Sequence, residues 1–235
     1  MEVLVASKVA DQTGDAVTGR GGRRLRNMQD KRDRIFTAAA QLFAEHGFEA
    51  VTTQQISDRA DIAAGTLFRY ATSKGDLLLM VYNQQFRAAI DAGKTAASFC
   101  DDPADAVFAM AAPIVHAAGR DPGNTVLYQR ELLFGPPSVG HRAEGLALVG
   151  ELEKSLAERL SAAITNPDVN RSEVKVAAMR AARSIFAVVH LLVAQPATGA
   201  HQGTDPIREL KEQVTQIATG FVATTTLREQ RRGRH

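Results

Sequence analysis

From about Asp30 onward the apolar residues of this chain recur at intervals of three and four, and no segment alternates apolar and polar residues between hairpin turns. The first spacing lines one face of an α-helix, and the second, which a half-buried strand needs, is missing. The sequence therefore predicts an all-α protein of about nine helices. Ile35, Ala38, Ala39, Leu42 and Phe43 form one buried stripe, closed at Gly47, where glycine enters a left-handed C-terminal turn without a Cβ penalty. Thr52 and Gln55 make a Thr-x-x-Gln capping box that opens a second helix. A break at Asp61-Ile62 precedes a short third helix, from about Ala63 to Tyr70, and Ser73 with Asp76 starts a long fourth from Lys74 to about Ala97.

The later helices are bounded in the same way. Pro103 suits the first position of a fifth helix reaching about Ala118. Asp121-Pro122-Gly123 turns into a sixth, from Asn124 to Phe134, which Gly135-Pro136-Pro137 breaks. A seventh runs from about Gly140 to Ile164 and closes at Asn166-Pro167. Asn170 with Glu173 caps an eighth that reaches Ala194 ahead of Pro196, residues 197–204 form a loop, and Asp205-Pro206 begins a ninth that continues to about Arg228.

Composition excludes several classes. Of the 235 residues, 45% are hydrophobic and 23% charged, which a globular protein needs and a wholly disordered chain lacks. The single cysteine, Cys100, excludes an internal disulfide framework and fits a reducing cytoplasm. Residues 1–22 have no sustained apolar core and read poorly as a secretory signal. The most apolar stretch, Ser184 to Ala194, is shorter than a bilayer span and contains His190, so no membrane segment is expected. No His-x-x-x-His or Glu-x-x-His spacing and no Gly-x-Ser-x-Gly turn occurs, so neither metal ligands nor catalytic residues are assigned, and no cofactor is expected.

The charge distribution is more telling than the net +2. Between Arg20 and Arg34 seven bases (Arg20, Arg23, Arg24, Arg26, Lys31, Arg32, Arg34) face only Asp30 and Asp33. Arg228, Arg231, Arg232 and Arg234 crowd the C-terminus against Glu229. Such clusters attract phosphate and release counterions, although solvated tails look the same. Residues 1–29, Gly- and Arg-rich without a period, read as a flexible basic arm, and 231–235 as a basic tail.

Three short helices joined by tight turns present a helix to a DNA major groove. Here Ile35, Ala39, Leu42, Phe43, Phe48, Val51, Ile56 and Ala60 supply a small core, and Ile62 and Leu67 dock the third helix, with Phe68 also read as core. Ala64, Gly65, Thr66 and Arg69 are then left facing outward, small enough for close approach and, in Thr66 and Arg69, able to donate to bases. Tyr70 and Lys74 follow at the flank, placed for phosphates. The competing reading of Arg69 is an exposed ion pair with Asp58 or Asp61.

The run Arg34-Ile35, Ala38-Ala39, Leu42 to Phe48, Val51-Thr52-Thr53 and Ile56, with Gly65 to Tyr70 and Ser73-Lys74, closely resembles the DNA-binding domain of the TetR family of bacterial regulators. The likeness spans about Arg32 to Leu79. It implies a homodimer that reads a pseudo-palindromic operator and is released by an effector held in the larger domain. It places phosphate contacts on Thr52 or Thr53, Tyr70 and Lys74, and base-edge contacts on Ala64, Gly65, Thr66 and Arg69. The sequence departs from the family at Ser57, Asp61, Ala63 and Ala71. Without a hydroxyl cap at Ala63 the reading helix loses about 1 kcal/mol, unless Asp61 caps it instead.

This organisation gives a helix-turn-helix domain at 30–73 and a helical effector-binding and dimerisation domain at 74–230. The eighth helix is apolar over more than one face, so it needs cover on all sides. Pairing through the last two helices, about 171–194 and 205–228, supplies it. Tyr82, Phe86, Met110, His116, Tyr128 and Phe134 lie on inward-looking stripes and are the candidate lining of an effector pocket. His116 and His190 read as core or pocket residues. The leading expectation is a ligand-responsive repressor; the competing ones are a constitutive or architectural DNA-binding dimer and an all-α enzyme.

Overall fold

The computed structural model describes residues 15–135, 140–166, 169–199 and 203–232, the side chains of 15–21 and 227–232 excepted. Among the described residues there are nine helices and no strand: α1 (Asp15–Ala50), α2 (Thr53–Arg59), α3 (Ala64–Leu67), α4 (Lys74–Ala97), α5 (Pro103–Arg120), α6 (Pro122–Phe134), α7 (His141–Ala162), α8 (Arg171–Thr198) and α9 (Pro206–Arg232). The all-α expectation holds.

Two buried clusters organise the chain. The first takes Ile35, Ala39, Leu42, Phe43, Phe48, Val51, Ile56, Ala60 and Leu67 from the first three helices and the turns that join them, and adds Leu77 to Tyr82 of α4 with Tyr128 and Leu132 of α6. The small N-terminal core is thus completed by helices from beyond it. The second cluster fills the space between the rest of α4 and α5, α7, α8 and α9. Two glycines set the closest approaches. A Cβ on Gly93 would lie 2.3 Å from the Met110 carbonyl oxygen, so α4 and α5 touch backbone to backbone there. One on Gly145 would lie 2.6 Å from both Asn83 Oδ1 and Leu132 Cδ1, which fixes α7 against α4 and α6.

Several boundaries differ from the sequence reading. The basic segment read as a flexible arm is helical from Asp15, continuous with the docked part of α1; residues 1–14 lie outside the described residues. The physical reason is propagation. Once Ile35 to Phe43 dock, each added residue makes one hydrogen bond without a new nucleus, and Arg, Leu, Met, Gln and Lys are all good helix formers. Gly47, at φ 75°, breaks the first helix as expected. α8 passes through Pro196, since a proline in the last turn leaves little helix to disrupt, and ends at left-handed Gly199 (φ 63°). The 231–235 tail begins inside α9, and its last three residues lie outside the described residues.

By length and composition α8 is long and apolar enough to cross a membrane. It instead buries Val174, Ala178, Ala182, Ile185, Val189 and Leu192 inside the second cluster.

Candidate functional site

The turn from α2 to α3 is built by an unusual residue. Asp61 is the one non-glycine at positive φ (51°) among the described residues, and aspartate tolerates that region better than most side chains. Arg34 of α1 donates to both its carbonyl oxygen (3.3 Å) and Oδ2 (3.2 Å). That pairing leaves Asp61 unable to cap α3. Ala63 is the N-cap and makes no side-chain bond. The helix is accordingly a single turn, Ala64–Leu67, rather than the span from Ala63 to Tyr70 expected from sequence. It continues only as tight turns, in which Arg69 N–H donates to Thr66 O and Tyr70 N–H to Leu67 O.

Leu67 anchors this short rod and is fully buried, while Gly65 and Arg69 are exposed and Ala64, Thr66 and Tyr70 half-buried. Phe68, read as core, is 51% exposed. One turn of helix has only one inward position, and Leu67 fills it. Phe68 therefore joins the outward surface, and nothing in its residue type announced this. No ion pair engages Arg69 among the described residues; Asp61 belongs to Arg34, and Asp58 accepts from Gln54. The capping box of α2 is present as read: Thr52 N–H donates to Gln55 Oε1 at 2.7 Å and Gln55 N–H to Thr52 Oγ1 at 3.2 Å.

Lys74, read from the sequence as a phosphate contact, is bonded within the chain in this structure. Its ammonium donates to the carbonyl oxygens of Phe48 (2.9 Å), Glu49 (3.3 Å) and Val51 (3.0 Å) and sits 4.3 Å from the Phe48 ring centre. With three donors on three carbonyls, it braces the segment leading into α2. Sequence spacing put Lys74 at a helix start but could not show the chain end of α1 folding back over it.

A second site lies between α4, α5, α6 and α8. A mainly apolar cavity of about 70 Å³ is lined by Tyr82, Phe86, Tyr128, Gln129, Phe186 and His190, among others. Three of the expected lining residues, Tyr82, Phe86 and Tyr128, are therefore together, and the rings of Tyr82 and Tyr128 stack at 5.7 Å. The other three are not. Met110 is buried, its backbone lies against Gly93 of α4, and it does not line the cavity. His116 is exposed, because the inward stripe of α5 runs through Ala111, Ile114, Val115 and Ala118 and passes it by. Phe134 is the last residue of α6 and 82% exposed, beyond the point where α6 is covered.

Sequence reasoning missed Gln129 and Phe186. Gln129 donates to the His190 carbonyl at 3.0 Å and also meets its ring, which stacks on Phe186 at 5.7 Å. Burial lowers the His190 pKa, with a backbone hydrogen bond partly opposing, so the imidazole is held neutral. Burial likewise raises the pKa of both tyrosines, helped at Tyr82 by Asp121 and at Tyr128 by the charge of Glu144. The cavity thus offers neutral polar groups in an apolar wall. A group of His, Cys, Asp or Glu able to hold a metal is absent among the described residues.

The two sites are wired together at the start of α6. Tyr82 OH donates to Asp121 Oδ2, which also accepts from Asn124 Nδ2 at 2.8 Å. Asn124, itself buried, donates to Phe43 O (3.0 Å) and accepts from Phe48 N–H (2.8 Å) across the Gly47 kink. A third surface is the outer side of α8, where Val176, Arg180, Ser184, Ala187 and Leu191 are exposed in one stripe; on α9, Gln216, Thr219, Gly220 and Ala223 are exposed.

Comparison with known proteins agrees with this geometry. Residues 35–81 match the family described as bacterial regulatory proteins, tetR family. The chain is 28% identical over 149 residues to the HTH-type transcriptional repressor KstR of Rhodococcus jostii, covering 63% of this chain and 66% of that one. It is 27% identical over 150 residues to the KstR of Mycobacterium tuberculosis, covering 63% and 65%. The match thus spans just under two thirds of the length of these relatives. Among solved structures, Thermus thermophilus FadR, a TetR-family repressor crystallised with lauroyl-CoA, superposes with TM-score 0.61 at 21% identity over 79% of this chain and 92% of that one. That likeness concerns the fold.

Proposed function

We propose that this chain is a TetR-family regulator, as the match at residues 35–81 and the likeness to KstR support, and that it is a cytoplasmic repressor, not an enzyme. It binds a palindromic operator as a homodimer and is released by a small apolar effector. The observation that carries the reading is α3: one docked turn whose Leu67 is buried while Gly65 and Arg69 are exposed and Thr66 half-buried beside it. Ala64, Gly65, Thr66 and Arg69 meet base edges in the major groove, Thr52, Thr53 and Tyr70 meet phosphates, and Lys74 holds the α2 entrance in register. The outer stripe of α8 and the small residues of α9 pair two chains into a four-helix interface.

The effector enters the cavity between α4, α6 and α8. A volume of about 70 Å³ is far below the roughly 300–1,000 Å³ of ordinary ligand sites, so a ligand must part these helices. Parting them moves Tyr82 and Asp121, and through Asn124 the end of α1. Ligand shifts the equilibrium only by the difference of its affinity for the two arrangements.

Anisotropy titration against duplexes from DNA flanking the gene, at several salt concentrations, tests the first half. Tight binding to one sequence, weakening steeply with salt, supports it; equal indifference to every duplex at low salt overturns it. Thermal shift against apolar compounds tests the second, since a ligand at 100 times its Kd adds about 2.7 kcal/mol. The small cavity favours one other reading, a constitutive DNA-binding dimer, and failure of every compound to raise the Tm of a protein that binds DNA would select it.

A further inference from the structure

The helical start of α1 stands in front of the reading helix. Arg23, Arg24, Asn27, Met28 and Lys31 form one wall of a groove whose other wall is Thr66, Arg69 and Tyr70. Residues 23, 24, 27, 28 and 31 share one face at helical spacing, and the Tyr70 hydroxyl donates to the Met28 carbonyl at 3.4 Å, joining the walls. Burial does not explain this stretch: Leu25 is 69% exposed and every residue from Arg23 to Arg34 is exposed. Nor do ion pairs, since none engages Arg23, Arg24, Lys31 or Arg69 among the described residues. Four cations thus line one open groove without a carboxylate on either wall.

We propose that this groove is a second DNA contact, a track for the phosphate backbone bordering the major groove that α3 enters, with Arg23, Arg24 and Lys31 as its ligands. The proposal rests on the DNA-binding reading above. An extended basic arm could slip into a minor groove, but a helix with side chains is about 10–12 Å across and the minor groove only about 6 Å wide. A helical arm therefore rides on the backbone, where it adds affinity and orientation without reading sequence.

The test is anisotropy of the full chain on its preferred duplex and on a scrambled one, across salt. Each phosphate contact contributes about 0.9 to the slope of log K against log salt. Arg24→Ala with Lys31→Ala removes four contacts from a dimer, so the slope should fall by about 3 to 4 on both duplexes, with sequence preference kept. Arg26→Ala with Arg32→Ala removes the same charge from the same helix away from the groove and should lower it by less than about 1. Equal effects of the two pairs overturn the proposal. Asn27→Pro keeps every charge but breaks the helix between Arg24 and Lys31. Loss of slope supports a helical track, and an unchanged slope overturns it in favour of a flexible arm. Wild-type protein that binds no duplex would instead defeat the DNA-binding reading itself, whereas Arg69-dependent preference with no groove effect defeats this inference alone.

Discussion

The Asn124 carboxamide oxygen accepts the backbone N–H of Phe48 at 2.8 Å, joining residues 76 apart in sequence. The same carboxamide donates to Phe43 O and Asp121, so one buried side chain ties the kink of α1 to the wall of the cavity. Replacing Asn124 by Ala takes the side-chain partner from the Phe48 N–H and from the Phe43 carbonyl, each bond worth about 0.5–1.5 kcal/mol. It also cuts the tie. In Asn124→Ala, urea unfolding should show the lower midpoint, and effector should still raise the Tm while releasing DNA less well. Full release in the variant would separate Asn124 from signalling.

Two glycines predict opposite signs. Gly93→Ala drives a methyl to 2.3 Å from the Met110 carbonyl and must spread α4 from α5, at about 1–3 kcal/mol. Nothing lies within 4 Å of a Cβ on Gly119 in α5, so Gly119→Ala should stabilise by about 0.4–1 kcal/mol through the unfolded chain. Thermal unfolding of both variants checks the contrast.

On the DNA side, Thr66→Ala and Arg69→Ala should change which duplex is preferred, by about 1–3 kcal/mol at the affected base pair. Lys74→Ala should act differently. It removes the one ammonium that the Phe48, Glu49 and Val51 carbonyls share, lowers stability, and weakens all duplexes alike by loosening the entrance to α2. Competition binding with single-base variants separates the two patterns.

The neutral His190 gives a pH dependence. Its folded pKa lies below the ordinary 6.5, so as pH falls through that value the unfolded chain takes up a proton that the folded chain refuses. Stability is complete above about 6.5 and declines below it. The difference in urea midpoint between about pH 7.5 and pH 5.5 should be smaller in His190→Gln than in the parent. An equal difference would show that other groups govern it.

Pairing through α8 and α9 is tested at Ala187, exposed in the middle of the outer stripe of α8. Ala187→Glu sets two like charges near each other across a two-fold interface, so light scattering should move from dimer towards monomer while far-ultraviolet circular dichroism is kept. An unchanged dimer would place the interface elsewhere.

The sequence by itself determined the helices and the reading module. Periodicity, the Thr52–Gln55 box, the Ser73 cap and Gly47 act within a turn or two of chain, so their physics is local and legible. It also determined that Leu67 docks and that Gly65, Thr66 and Arg69 do not. Tertiary structure alone decided which distant groups meet. It turned Lys74 onto Phe48, Glu49 and Val51, took Asp61 from α3 and gave it to Arg34, left His116 and Phe134 outside the cavity, and brought Gln129 to His190. In each case the partners lie on different helices, and a one-dimensional stripe says that a residue is covered but never by what. The basic start of α1 belongs to both. Its charge was plain in the sequence, while its helicity follows from growth out of a docked segment, a cooperative effect that glycine and arginine counts do not express.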